Sequence, residues 1–288
     1  MTPRDAGIGC YSRRMQAAAV PIPGYEASWF GPDDSGTPVG HWVYRGERRG
    51  PSVIVIHEAF GLSSRTLAVA ARVREAGMTP VLPLLAGRPL SGLRGGVGTF
   101  WRLCTAREFG AMANGEATPT ASWLRALAQR ERRDSDEGPV GVIGMCFSGG
   151  YAFATALDDS IKAVVSSQPA IPWAIGKRRR QFGVNAADYA ALRANTEDGA
   201  CVRTLRYQRD VMSPGVRHDA IKAALPRREA VEIRTWNPMD HPVLGDGVAA
   251  DPESPQGRAL TDTVAFLRGR LVDRDDAEPG TEPGTKPG

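Results

Sequence analysis

The chain has 288 residues, of which 42% are hydrophobic and 24% charged, and its formal net charge is +4. That is enough apolar material for one sizeable α/β domain with tails, and it excludes a globally disordered chain. No stretch reaches the roughly 18 apolar residues of a membrane span, and the positive excess is too small and too scattered for a nucleic-acid reader.

Residues 1–25 read as a loose leader whose apolar run, Ala18 to Val20, is too short for a signal-peptide core, so a cytoplasmic location is expected. Strand candidates follow at Trp29-Phe30 and His41 to Tyr44, with Pro32 to Gly36 turning between them as an antiparallel hairpin. Val53 to Ile56 is a continuous β-branched run, as in a strand covered on both faces of a parallel sheet. Thr66 to Ala76 predicts a helix ended by Gly77, and Thr79 to Leu85 the next strand. Helices are expected at 100–109 and 120–132, then a polar turn at 134–138. A strand at 140–143, a helix at 149–157 and a strand at 161–166 continue the alternation of a mostly parallel α/β sheet.

Residues 171–199 interrupt this pattern with Lys177 to Arg180 and a helical stretch, Ala186 to Arg193, either a small lid or an ordinary connection. A strand at 202–207, a helix at 216–225, a strand at 231–236 and a helix at 259–271 complete a domain over 26–272. Residues 273–288 hold only charge, Gly, Pro, Thr and a single Ala, and read as disordered. The basic runs Arg45 to Arg49, Arg130 to Arg133 and Lys177 to Arg180 are short and separate, which is the pattern of solvated surface.

The strongest local signal is Val140-Gly-Val-Ile-Gly144-Met-Cys146-Phe147-Ser148-Gly149-Gly150. A strand runs into a cluster of small residues and then a helix, the sharp turn that lifts a nucleophile above an α/β-hydrolase sheet. The helix N-terminus favours thiolate at Cys146, and the Phe147 N–H would face a developing oxyanion. A structural, inert thiol is the alternative, and it is the reading kept for Cys10, Cys104 and Cys201. A phosphate loop is excluded because its lysine and following hydroxyl are missing.

A thiolate needs an imidazole, and the imidazole a carboxylate. Of four histidines, His241 follows the strand at 231–236, in a late loop at the carboxyl end of the sheet. Asp210 follows the strand at 202–207, so the order nucleophile, acid, histidine is that of an α/β-hydrolase. Asp240 is too close in sequence to orient the neighbouring ring, and Asp219 lies on a helix. His57-Glu58-Ala59-Phe60-Gly61 follows the strand at 53–56. Ala59 N–H is the candidate second oxyanion donor, Glu58 a carboxylate facing the pocket, and His57 a packing residue. Four scattered histidines give no zinc triad, and neither a metal nor a cofactor is called for.

These motifs resemble the dienelactone hydrolase family over roughly residues 26–271. Gly144-Met-Cys146-Phe147-Ser148-Gly149 is similar to the family's Gly-x-Cys-x-Gly-Gly, except at Ser148. Gln208 through Pro214 is similar to its aspartate segment, and Trp236-Asn-Pro-Met-Asp-His241 to its histidine turn. The resemblance implies a three-layer α/β-hydrolase sandwich, a role for Glu58 beside the resting cysteine, and an acyl-enzyme on Cys146. It also implies that Arg88, in Pro83-Leu-Leu-Ala-Gly-Arg88, helps hold a substrate carboxylate. The family's second arginine, a few residues past the histidine, is missing: Pro242 to Gly245 stand there. The expected activity is therefore cysteine-dependent hydrolysis of a small ester or lactone, with an anionic substrate within reach and no nucleic-acid or membrane partner. A thioesterase on the same scaffold and a catalytically silent binding protein of hydrolase ancestry are the alternatives.

Overall fold

The computed structural model describes residues 18–58, 61–87, 89–90, 111, 118–136, 138–171, 175–185 and 188–273. Its frame is an eight-stranded sheet in the order β1-β2-β4-β3-β5-β6-β7-β8. The strands are β1 (Tyr25–Phe30), β2 (His41–Gly46), β3 (Ser52–Ile56), β4 (Thr79–Leu84), β5 (Val140–Met145), β6 (Ile161–Ser167), β7 (Cys201–Tyr207) and β8 (Glu229–Ile233). β1 pairs antiparallel with β2, and β2 with β4; all other pairs are parallel. This is the α/β-hydrolase-like sandwich with its N-terminal hairpin.

The helices are α1 (Pro32–Ser35), α2 (Ser64–Glu75), α3 (Pro119–Asp134), α4 (Ser148–Thr155), α5 (Tyr189–Glu197), α6 (Gly215–Ala224), α7 (Val243–Gly247) and α8 (Pro255–Leu271). Alternate residues of β3 split the core between the two faces. Ile54 and Ile56 pack with Trp123 and Leu127 of α3, Phe153 of α4 and Ile221 of α6. Val53 and Val55 pack with Val69 of α2 and Leu260 and Leu267 of α8. Each such side chain contributes on the order of 1.5–3 kcal/mol by leaving water, so the central strands anchor everything that follows them.

Several boundaries differ from the sequence expectation, for local reasons. β8 stops at Ile233 rather than 236, because its last partner is Tyr207, after which the neighbouring strand turns away. Trp236 is accordingly 81% exposed. α5 begins at Tyr189 rather than 186, because Asn185 Oδ1 accepts the Asp188 N–H at 2.8 Å and closes a turn before the helix. α8 begins at Pro255, with Ser254 Oγ accepting the Gly257 N–H at 3.0 Å.

The basic runs are not uniformly solvated. Arg45 and Arg130 turn inward onto Glu131, which is fully buried and also accepts from Ser52 Oγ at 3.1 Å. A buried carboxylate must be paired, and these two arginines pair it. Lys177 to Arg180 form an exposed 3-10 turn between β6 and β7. The leader to residue 17, the expected helix at 100–109 and the tail from residue 274 lie outside the described residues. Among those described, no helix is long and apolar enough to cross a membrane.

Candidate active site

β5 ends at Met145 and α4 starts at Ser148, so the chain must reverse within Cys146 and Phe147. Cys146 does this at φ +62°, a left-handed conformation that costs a non-glycine residue on the order of 1–3 kcal/mol. Three backbone hydrogen bonds hold it there: Cys146 N–H donates to Ser167 O, and Cys146 O accepts from Gly149 and Ala170 N–H, each at 3.0 Å. The small neighbours are obligatory. A Cβ on Gly144 would lie 2.2 Å from Ser148 O, and one on Gly149 2.8 Å from Pro169 Cα.

Ser148, the departure from the family motif, uses its side chain. Its Oγ accepts the Met145 N–H at 2.8 Å and lies 3.1 Å from Ile56 O, within donating distance. The hydroxyl proton is shared with Met145 O at 2.9 Å, so the side chain ties the turn to β5 as well as to β3, which a glycine could not do. Phe147 occupies the N-cap position of α4 and is buried.

The Asp210 and His241 loops meet across the ends of β7 and β8. His241 Nδ1 lies 2.6 Å from Asp210 Oδ2. Asp210 Oδ1 accepts from the N–H groups of Met212 at 2.7 Å and Ser213 at 3.1 Å. Burial alone would raise the Asp210 pKa, but hydrogen bonds and charge from His241, Gln168 and Met212 outweigh it and hold the carboxyl ionised below its ordinary range. Burial likewise opposes charge on His241, yet the facing Cys146 and the bonded Asp210 raise its pKa. Nε2 is buried without a formed hydrogen bond to any described group, while Cys146 is close enough to act on the ring. Asp240 bonds within its own loop, to Thr235 Oγ1 and to Asn237 Nδ2, and does not orient the ring.

Glu58 stands at the end of β3. Burial raises its pKa, against the opposing charges of Arg65 and His241. No hydrogen bond joins Oε1 to any described group, and a Cβ on Gly245 would sit 2.7 Å from it. The segment that lacks the family's second arginine thus packs directly against this carboxyl.

His57 is structural. Its Nε2 accepts from Leu85 N–H at 3.0 Å and Ala86 N–H at 3.3 Å, so Nδ1 carries the proton donated to Glu58 O at 2.6 Å. Burial lowers its pKa to about 4, and the neutral ring ties the loop after β3 to the loop after β4. Ala59 and Arg88 lie outside the described residues, as do Cys10 and Cys104. Cys201 opens β7 at the opposite end of the sheet. No group of three His, Cys, Asp or Glu among the described residues is placed to hold a metal ion.

Two residues escaped sequence reading. Gln168 follows β6, and its Nε2 donates to Asp210 Oδ2 at 2.5 Å. Its signal was a polar run, Ser166-Ser167-Gln168, at the carboxyl end of a buried strand, where α/β sheets place their ligands. Arg217 of α6 is fully buried and donates to the carbonyls of Gln181, Pro169 and Met212 at 2.6–2.8 Å. It bolts the 3-10 segment to the loops after β6 and β7, and nothing in its helical context announces this.

Residues 41–179 match the family model described as Dienelactone hydrolase family. That match supports the family resemblance carried by the motifs around Cys146, Asp210 and His241. Solved structures agree at the level of fold. The dienelactone hydrolase of Anabaena variabilis ATCC 29413 is 16% identical, with 86% of this chain and 98% of that one covered at a TM-score of 0.53. The α/β hydrolase GrgF of Penicillium sp. sh18 is 13% identical, with 87% and 100% covered at 0.59. A dienelactone hydrolase-like promiscuous phosphotriesterase from metagenomic libraries is 14% identical, with 86% and 98% covered at 0.55. A search of curated proteins gave no significant match.

Proposed function

We propose that this chain cleaves a small ester or lactone through a thioester on Cys146. The observation that carries the proposal is the pairing of a thiol on a strained backbone at φ +62°, just before helix α4, with an imidazole held at 2.6 Å by a buried carboxylate. An ordinary packing cysteine has no need of a left-handed backbone or of an oriented histidine opposite it.

In this mechanism the Cys146 thiolate attacks the carbonyl carbon, and the carbonyl electron pair moves onto oxygen. The N–H groups of Phe147 and Ala59 receive that oxyanion. As the tetrahedral adduct collapses, the C–O bond breaks, and the His241 imidazolium passes its proton from Nε2 to the leaving oxygen. Neutral His241 then takes a proton from water, hydroxide adds to the thioester, and the acid leaves as the thiolate is restored. Asp210 keeps the ring oriented throughout and stabilises its cationic form. Glu58 is assigned a place beside the resting thiol. Arg88 is assigned to a substrate carboxylate when there is one. With Gly245 and a carboxyl where a second cation would be needed, the site does not depend on an anionic substrate. The free thiol this chemistry requires suits a cytoplasmic setting.

The test is turnover of a panel of aryl esters, lactones and thioesters by the full chain. Cys146→Ala and His241→Ala should each lose about 10³-fold or more in kcat without unfolding. Iodoacetamide should label Cys146 ahead of Cys201 by mass-spectrometric mapping. Equal labelling, with turnover unchanged in both variants, would reject the proposal; thioester preference would move it to the thioesterase alternative.

A further inference from the structure

The loop after β6 touches all three parts of the candidate site. Ser167 O accepts from Cys146 N–H, Ala170 N–H donates to Cys146 O, and Gln168 lies between them at φ +52° with its own N–H on Leu205 O at 2.8 Å. A glycine would adopt that left-handed backbone without strain; glutamine adopts it at a cost. The side chain has a use that offsets the cost.

The amide can be oriented from its partners alone. Val243 N–H can only donate, so the atom facing it is Oε1, and Nε2 then points at Asp210 Oδ2 and, at 3.4 Å, at Asp240 O. Nε2 also lies 3.3 Å from His241 Nδ1. Both nitrogens are donors that share one acceptor, so this contact places the positive end of the amide dipole against the ring. With Met212 and Ser213 on Oδ1, and Gln168 and His241 on Oδ2, every acceptor direction of Asp210 is used.

We propose that Gln168 is a positioning residue: it clamps the Asp210 loop to the His241 loop, fixes Oδ2 on Nδ1, and thereby leaves Nε2 facing Cys146. Its effect on turnover rests on the hydrolase reading above; its effect on His241 does not. The charged or titratable groups facing the ring are Asp210, Cys146 and Glu58, and Gln168 acts through the first.

Gln168→Glu separates the two ends of the side chain. One oxygen still accepts from Val243 N–H; the other replaces Nε2, 2.5 Å from Asp210 Oδ2. Two carboxyls that close hold one proton between them. The introduced carboxyl therefore has a folded pKa above its ordinary value of about 4.3. The stability it confers is full below that ordinary value and is lost as pH rises through the raised one.

The expected result is near-normal turnover at low pH, then a fall of roughly 10- to 100-fold in kcat with little change in KM as the pair ionises. Gln168→Leu should show a comparable fall at all pH, and it carries the test should the first variant not fold. The second readout is the His241 ring titration by NMR. It stands alone in the neutral and alkaline range because burial lowers His41 to about 3, His57 to about 4 and His218 to about 3. In Gln168→Leu it should move downward by about one unit, as Asp210 is no longer held on Nδ1, whereas in Gln168→Glu the added carboxylate should move it upward as the pair ionises.

A His241 titration unchanged or raised in Gln168→Leu, with kcat profiles parallel to the parent, would overturn the proposal. If Cys146→Ala retains full turnover, the Cys146 thioester reading fails, while the His241 titration still decides the role of Gln168.

Discussion

Two buried carboxyls act on the His241 ring, and the protein treats them in opposite ways. Asp210 receives four hydrogen-bond donors, and its pKa is lowered. Glu58 has an oxygen that no described donor reaches, and burial raises its pKa. Burial is common to both, so donor supply decides the charge. The same fold that supplies donors to one carboxyl leaves the other with burial favouring its neutral form.

The harshest way to break this comparison is Asp210→Asn. It retains size but loses the charge and forces a donor toward His241 Nδ1, so the ring must expose the wrong tautomer. Turnover should fall by about 10²- to 10⁴-fold, with the His241 titration displaced downward, measured on the folded variant. An Asn variant with normal turnover would mean that the 2.6 Å pair is merely structural.

Glu58→Gln should do less. Glutamine keeps the size of a side chain whose neutral form burial already favours, so kcat/KM should stay within about tenfold of the parent. The pH dependence of stability sharpens the contrast. The raised pKa of Glu58 means that its contribution is full below the ordinary carboxyl range and is lost as pH rises through the folded value. The lowered pKa of Asp210 means that its contribution is present above the ordinary range and is lost as pH falls through the folded value. Relative to the parent, the Tm of Glu58→Gln should therefore improve on going alkaline, while the deficit of Asp210→Asn should shrink on going acid. Parallel Tm curves for the two variants would remove the distinction.

The sheet was legible because its central strands are continuous apolar runs, and Val53 to Ile56 or Val140 to Ile143 can be little else. The candidate nucleophile was legible because a crowded turn must be built from small residues. Asp210 and His241 could be placed because chain order in this architecture puts strand-end loops side by side. The departures were those in which tertiary contact outweighs local pattern. β8 ends where β7 leaves it, and Arg45 and Arg130 look like surface charge until Glu131 is seen to be buried between them. Gln168 and Arg217 were missed for the same reason. Their roles consist of bonds to residues 42 or more positions away, or to backbone carbonyls that no side-chain pattern advertises.

The smallest perturbation of the comparison is Gly245→Ala. Its Cβ would fall 2.7 Å from Glu58 Oε1, while its other near contacts, Pro242 Cδ and Cγ, are at an ordinary 3.5 Å. The clash is thus with the end of one flexible side chain and not with backbone. Alanine in the short helix α7 should by itself be favourable by roughly 0.5–1 kcal/mol. In the parent, that gain is opposed by having to move a carboxyl for which no other described donor is waiting, so the net change in Tm should be small or negative. In a Glu58→Ala background the obstruction is gone, and the same substitution should stabilise. A double-mutant cycle should return a coupling of about 0.5–3 kcal/mol, whereas strict additivity would show that Glu58 does not rest against Gly245.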